Sequence, residues 1–302
     1  MVYHLPMRGR GGLQKEEEPL KSILFAALLG LALPVAAAQH AAKHHAGVIS
    51  QLSVKSAAAL VLDQNAQQIL YAKNIDDVMP IASLTKLMNA LVVLESGASL
   101  DERISVTAED VDDLKHTRSR LKVGTVLTRG ELLKLALMAS ENRAAAALAR
   151  SYPGSTPAFV AAMNLKAREL GMQNTHYVDG TGLSSENVST ARDLSRLAAA
   201  AYRQPLIREH TTDTEHTVEL ANGRRLQYSN SNRLVKNSDW HIGMSKTGFI
   251  NEAGRCLIMQ AGIGSTPVII VLLDSWGKLT RIGDANRIKK WMESQASRRP
   301  AG

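Results

Sequence analysis

The sequence predicts an α+β fold in which an antiparallel sheet joins the two ends of the chain and a helical cluster fills the middle. Three observations predict it. Short apolar runs broken by turn residues lie at 57–72 and again after residue 226. Between them, apolar residues recur at i, i+3, i+4 and i+7, the helical period. No internal repeat or second domain is visible in the 302 residues.

Residues 1–38 have the pattern of a secretory signal. Lys21 precedes an apolar run from Ile23 to Val35, and Ala36-Ala37-Ala38 offers a cleavage site before Gln39. The run is short for a membrane span and is interrupted by Pro34. Glu16-Glu17-Glu18 is unusual ahead of such a run and points to a start downstream of Met1; an uncleaved anchor is the competing reading. Residues 39–51, rich in alanine and histidine, are expected to form a flexible linker. His40, His44 and His45 could hold a metal, but no carboxylate or cysteine joins them.

The domain itself is expected over 52–296, with a basic tail at 297–302. Residues 57–63 and 67–72 are strands about the turn Gln64-Asn65-Ala66. After Ser83, apolar residues at Leu84, Leu87, Met88, Leu91 and Leu94 predict an amphipathic helix closed by Ser96-Gly97. Residues 132–150 are expected to be helical throughout, as are 158–170 and 190–202, with Glu169 and Asp193 facing solvent. Gly180 and Gly182 mark a loop. Strands follow at 239–250, 254–261 and 267–273, and residues 281–295 close the domain as an amphipathic helix carrying Ile282, Ile288, Trp291 and Met292.

Composition excludes some classes. The 36 basic and 28 acidic residues give a formal charge of +8, but no run of five basic residues occurs. That scatter favours a polyanionic environment over a nucleic-acid footprint. The single cysteine, Cys256, rules out an internal disulfide and sits in an apolar strand, where it acts as a small core residue.

Chemistry enters at Ser83 and Lys86. Three residues apart at a helix start, they share a face, so the hydroxyl and the amine come within hydrogen-bonding reach. A serine becomes a good nucleophile beside an amine that can be neutral. The pair recurs at Ser119/Lys122 and Ser275/Lys278, but only Ser83 opens a long helix. Two further motifs follow in order: Ser140-Glu141-Asn142 at the end of an apolar helical run, and Lys246-Thr247-Gly248 within a strand. A second Ser-x-Asn, Ser185-Glu186-Asn187, falls in the glycine loop and suits a turn.

This ordered set is the one found in penicillin-binding proteins and class A β-lactamases. Around it stand Pro80-Ile81-Ala82-Ser83-Leu84-Thr85-Lys86, Ala139-Ser140-Glu141-Asn142, Ser245-Lys246-Thr247-Gly248-Phe249, Leu170-Gly171-Met172-Gln173-Asn174-Thr175 and Asp179-Gly180-Thr181-Gly182-Leu183. From residue 57 to the final helix the chain resembles the low-molecular-mass D-alanyl-D-alanine peptidases, and within them the endopeptidases of the penicillin-binding protein 7 type.

The resemblance implies the serine β-lactamase/DD-peptidase-like fold and a penicillin-sensitive serine endopeptidase that cuts D-Ala-meso-diaminopimelate cross-links. Ser83 would form the acyl-enzyme, Lys86 would be the base, partly buried and pushed toward neutrality by Lys246 as a second cation, and Ser140 would shuttle the proton. Lys246, Thr247, Gly248 and Asn142 would bind substrate. The backbone N–H groups of Ser83 and Phe249 would form the oxyanion hole. Arg281, ahead of the last helix, would bind a terminal carboxylate or be merely solvated. No cofactor or metal is implied. The implied partners are peptidoglycan stem peptides, with β-lactams as inhibitors, in the periplasm and with at most loose association to membrane or wall.

Two rivals are weaker. A β-lactamase would carry Glu-x-x-Leu-Asn where this chain has Glu169-Leu170-Gly171-Met172-Gln173-Asn174. A non-catalytic wall-binding protein has no use for Ser83, Lys86, Ser140 and Lys246 together. Carboxypeptidase activity on pentapeptide stems uses the same residues. The endopeptidase is preferred because longer carboxypeptidases of this family add a β-rich domain and an anchoring helix, whereas a single helix and Arg298-Arg299 end this sequence.

Overall fold

A computed structural model describes residues 52–296. The proposed signal, linker and basic tail lie outside the described residues. Strands β1 (Ala58–Asp63) and β2 (Gln68–Lys73) form a hairpin, whose turn Asp63 fixes by accepting the N–H groups of Asn65 and Ala66. Short β3 (Met79–Pro80) leads through a 3-10 turn at Ala82–Leu84 into α1 (Thr85–Glu95). Short strands β4 (Arg103–Ser105) and β5 (Val126–Thr128) pair before α2 (Arg129–Met138), α3 (Asn142–Arg150) and α4 (Ser155–Glu169). After β6 (Val188–Ser189) come α5 (Ala191–Tyr202), α6 (Pro205–Thr212) and the hairpin β7 (Glu215–Glu219) and β8 (Arg225–Ser229). Strands β9 (His241–Ile250), β10 (Gly254–Ile263) and β11 (Thr266–Ser275) precede α7 (Thr280–Ala296).

The main sheet runs β2-β1-β11-β10-β9, antiparallel throughout, so the first and last strands of the domain are neighbours. Alternation sorts its side chains. Ala58, Leu60, Ile258 and Val271 join the core of the helical cluster, while Ala59, Val61, Met259 and Ile270 pack with Ala285 and Ile288 of α7 on the other face. Asp284 of α7 is fully buried, and accepts from the Lys55 and Ser56 N–H groups at 2.8 Å and from Ser56 Oγ at 2.6 Å. These bonds tie the last helix to the start of the domain.

Helix α1 departs from the amphipathic expectation. Every residue from Thr85 to Val93 is buried, because the helices α2, α3, α4 and α5 pack around it. Its polar residues, Lys86 and Asn89, therefore point into protein. The helix expected over 132–150 is two helices, broken where Ser140 takes φ 60°. Asp193 does not face solvent: it is 1% exposed and accepts from the Asn174 N–H and the Thr175 hydroxyl, holding the 170–175 turn against α5. Glu169 is exposed and pairs with Lys166. Helix α6 and the β7–β8 hairpin carry too few apolar residues to show a period, although Pro205 stands at the first turn, where its missing N–H costs nothing.

Candidate active site

Strand β9 is the edge of the sheet beside the Ser83 turn. A Cβ on Gly248 would lie 3.0 Å from the Ile81 carbonyl and 3.1 Å from the Ser83 nitrogen, a spacing tighter than nearly all real contacts. Glycine lets strand and turn come together there. Ala82, immediately before Ser83, takes φ 48°. Backbone strain of this kind, here at Ala82 and Ser140, persists only where surrounding structure enforces it, and it gathers at functional sites.

Lys86 is 1% exposed, and its ammonium donates to three oxygens: Ser83 Oγ at 2.9 Å, Asn142 Oδ1 at 2.7 Å and the Thr181 carbonyl at 2.6 Å. Burial lowers its pKa to about 8, against the opposing pull of Asp179, Glu141 and Asp112. Sequence reasoning expected burial and a second cation together; burial lowers the lysine, and the charges that act on it most are carboxylates. Lys246 is the group depressed by a neighbouring cation: burial first, then Lys86 and Arg281, push it well below the usual lysine value. Its Nζ donates to Ser140 Oγ at 2.8 Å and to the Thr247 carbonyl at 2.9 Å. The structure thus unites Ser83, Lys86, Asn142, Ser140 and Lys246.

The remaining residues of the motifs line the same cleft or support it. Thr247 donates to Ser231 Oγ at 2.8 Å, which fixes its hydroxyl. Phe249 is 48% exposed, with the Arg255 guanidinium 4.3 Å over its ring. Arg281 lies in the first turn of α7, not ahead of it, and donates to the Gly248 carbonyl at 2.8 Å and the Cys256 carbonyl at 3.1 Å. Burial, then Arg255, lowers its pKa to about 10. It is neither a solvated arginine nor free of protein contacts: it braces β9 from behind while adding positive charge. Cys256 is fully buried, and burial raises its thiol to about 11, so it stays a core residue.

Two supports escaped the sequence reading. The loop 179–184 is folded on Asp179, whose carboxylate accepts from the N–H groups of Thr181, Gly182 and Ser184. That fold aims the Thr181 carbonyl at Lys86. Asn187, read only as a turn residue, is buried; it accepts from Val178 and Asp179 and donates to Thr85 Oγ1, tying the loop to α1. Gly182 passes so close that a Cβ would sit 2.0 Å from the Ala82 carbonyl. The second support is Asp112, which gathers the N–H groups of Leu114, Lys115 and Thr117 and the Thr117 hydroxyl. Thr117 in turn accepts from Asn142 Nδ2 at 2.9 Å, leaving Oδ1 for Lys86. Asp-Gly-Thr-Gly was a visible signal for the first; nothing marked the second.

The other two Ser-x-x-Lys pairs do not assemble. Ser119 bonds its own loop and Lys122 is exposed; Ser275 meets Ser56 Oγ at 2.7 Å and Lys278 is exposed.

Comparison with known proteins gives the same picture. Residues 44–277 match the family described as D-alanyl-D-alanine carboxypeptidase. A D-alanyl-D-alanine endopeptidase of Pseudomonas aeruginosa is 47% identical over 274 residues, covering 90% of this chain and 88% of that protein. The Streptomyces K15 DD-transpeptidase superposes with a TM-score of 0.74 at 28% identity, covering 79% of this chain and 97% of that one. Penicillin-binding protein D2 of Listeria monocytogenes, solved in its ampicillin-bound form, gives 0.68 at 31% identity, covering 80% and 98%. A serine bonded to a buried lysine and a second serine–lysine pair whose lysine feels the first, on this fold and at this similarity, make the chain a serine hydrolase that belongs to the D-alanyl-D-alanine carboxypeptidase family.

Proposed function

We propose that the chain is a periplasmic, penicillin-sensitive serine endopeptidase that hydrolyses D-Ala-meso-diaminopimelate cross-links of peptidoglycan. The observation that carries the reading is Lys86, buried and bonded at once to Ser83, Asn142 and Thr181. A neutral amine keeps two N–H groups, which the Asn142 and Thr181 oxygens take, so its lone pair is left for the Ser83 proton. With a pKa of about 8, roughly a tenth of the lysine is neutral at pH 7.

Ser83 Oγ then adds to the D-Ala carbonyl carbon as its proton passes to Lys86 Nζ. The oxyanion is received by the Ser83 and Phe249 N–H groups. The C–N bond breaks, and the leaving nitrogen takes a proton through Ser140, whose oxygen the Lys246 ammonium polarises. Lys246 also offers its charge to a substrate carboxylate, while Asn142 bonds the substrate amide. β9, an edge strand, lets the substrate backbone lie alongside Thr247 and Gly248. Arg281 acts through β9 and through its field on Lys246. Water then takes the place of the leaving amine, hydrolyses the ester and restores Ser83.

A β-lactam enters the same path but has no leaving amine that departs. Glu169 is exposed and paired with Lys166, and Asp179 is saturated by backbone donors, so neither is available to activate deacylating water at Ser83. The acyl adduct should persist. Intact-mass analysis after penicillin treatment tests this: the expected result is one adduct of the whole antibiotic on the peptide containing Ser83, absent from Ser83→Ala. An adduct that survives Ser83→Ala, or one lost within seconds from the wild type, contradicts the assignment. The relatives' activity favours endopeptidase over carboxypeptidase action. The signal-like residues 1–38 support export, and among the described residues no helix is long and apolar enough to cross a membrane.

A further inference from the structure

A concave surface lies between two segments that are bonded to the active site. A groove of about 330 Å³ runs between the loop 120–126 and the β7–β8 hairpin. Arg120, Lys122 and Arg224 line it, together with Val123, Val126 and Asn222, and no carboxylate does. None of the three cations is ion-paired among the described residues, whereas Lys115, Arg129, Lys134 and Arg150 elsewhere each have an acidic partner. Arg120 is held in place, its guanidinium 5.2 Å over the ring of buried Tyr228. Val123 and Val126 remain 54% and 39% exposed on the groove.

Each wall of this groove is fastened to one wall of the active site. On one side Arg143, next to Asn142, donates to the Leu121 carbonyl at 2.7 Å, and Asn142 itself reaches Thr117. On the other, Ser231, two residues after β8, accepts from Thr247 Oγ1 and donates its N–H to the Met138 carbonyl. Tyr228 feels Glu141 as well as Arg120 and Arg224, which places the groove beside the Ser140-Glu141-Asn142 segment. Unpaired cations, exposed valines and walls bonded to the active-site segments fit a strand of acidic peptide.

We propose that this groove binds the carboxylate-bearing stem of a cross-linked wall peptide, and so selects long anionic substrates for the cleft. The proposal rests on the peptidase reading above and adds the substrate feature that it recognises. Exposed charge pairs are individually weak, so the groove should act as a set worth about tenfold in affinity at low salt.

The test uses the full chain bearing Ser83→Ala, which binds without cutting. Its affinity is measured by calorimetry for muropeptide dimers whose stem carboxylates are free or amidated, at low and at high salt. The free form should bind about tenfold more tightly at low salt, and the preference should vanish when Arg120→Gln and Arg224→Gln are added. Equal affinity for the two forms in the parent protein, with wild type still cutting dimers, would overturn the groove alone, whether or not the triple variant folds. Binding of neither form, with dimers left intact by wild type, would overturn the substrate reading on which the groove depends. Binding of the parent to vesicles of anionic phospholipid that is lost in the triple variant, while dimer affinity is unchanged, would assign these cations to a membrane surface and sink the proposal.

Discussion

At pH 7 most Lys86 side chains still carry a proton, because burial brings the amine to about 8 and the nearby carboxylates hold it there. In the proposed mechanism only the neutral fraction activates Ser83. Acylation by a fluorescent penicillin should therefore rise about tenfold per pH unit up to about pH 8 and flatten above it. Stopped-flow rates across pH 6–10 check this, and a flat profile would remove Lys86 from the role of base. Ser140 is the second residue whose contribution can be isolated. Ser140→Ala removes the acceptor of Lys246 Nζ and should slow acylation by about 10²–10⁴-fold while leaving the fold intact. A loss under threefold would mean that the proton travels another way. The motif residues were legible in the sequence because the resemblance rests on the identity, order and spacing of their side chains. Ser140's left-handed backbone was not, because strain at one residue leaves no periodic trace.

The elements that place these side chains were less visible. Sequence reasoning found the sheet strands, whose apolar alternation is strong, and it found α1. It took α1 for an amphipathic helix, because apolar spacing shows which face is buried only when another face is wet. Here none is. Asp193 was misjudged for a related reason: a carboxylate at the first turn of a helix usually faces water, and only the tertiary approach of Asn174 and Thr175 shows that this one does not. The loop 179–184 was seen as glycine-rich text, and its function as the holder of Lys86 depends on contacts more than 90 residues away in the chain. Gly182→Ala tests that function. With φ 82° and a Cβ placed 2.0 Å from the Ala82 carbonyl, the substitution should cost at least about 2 kcal/mol and slow acylation. Denaturant melts and penicillin labelling measure the two effects, and an unaltered variant would show that loop and turn do not depend on this approach.

Across the whole molecule, the sheet joins the two ends of the domain and α7 closes its outer face through Asp284. Burial by itself would raise that carboxyl, yet the Ser56 hydroxyl and the N–H groups of Lys55 and Ser56 hold it below the usual carboxylate value. A carboxyl depressed on folding adds stability that is complete above its unfolded value, about 4, and is lost as pH falls through the folded value. Asp284→Asn should thus cost about 2 kcal/mol or more at pH 7, and the difference from wild type should shrink in acid below about pH 4. Thermal melts against pH measure it; a difference independent of pH would mean that packing, not charge, is what the asparagine disturbs.

The central claim is that this cleft cuts cross-links with Ser83 as nucleophile. Product analysis by liquid chromatography and mass spectrometry tests it most directly, with purified protein and its Ser83→Ala variant each given cross-linked muropeptide dimers and pentapeptide monomers. The account predicts that wild type splits dimers, spares the monomers and loses all turnover with Ser83→Ala. Free D-Ala released from pentapeptides with dimers untouched would make it a carboxypeptidase on the same machinery, and turnover that survives Ser83→Ala would contradict the account at its root.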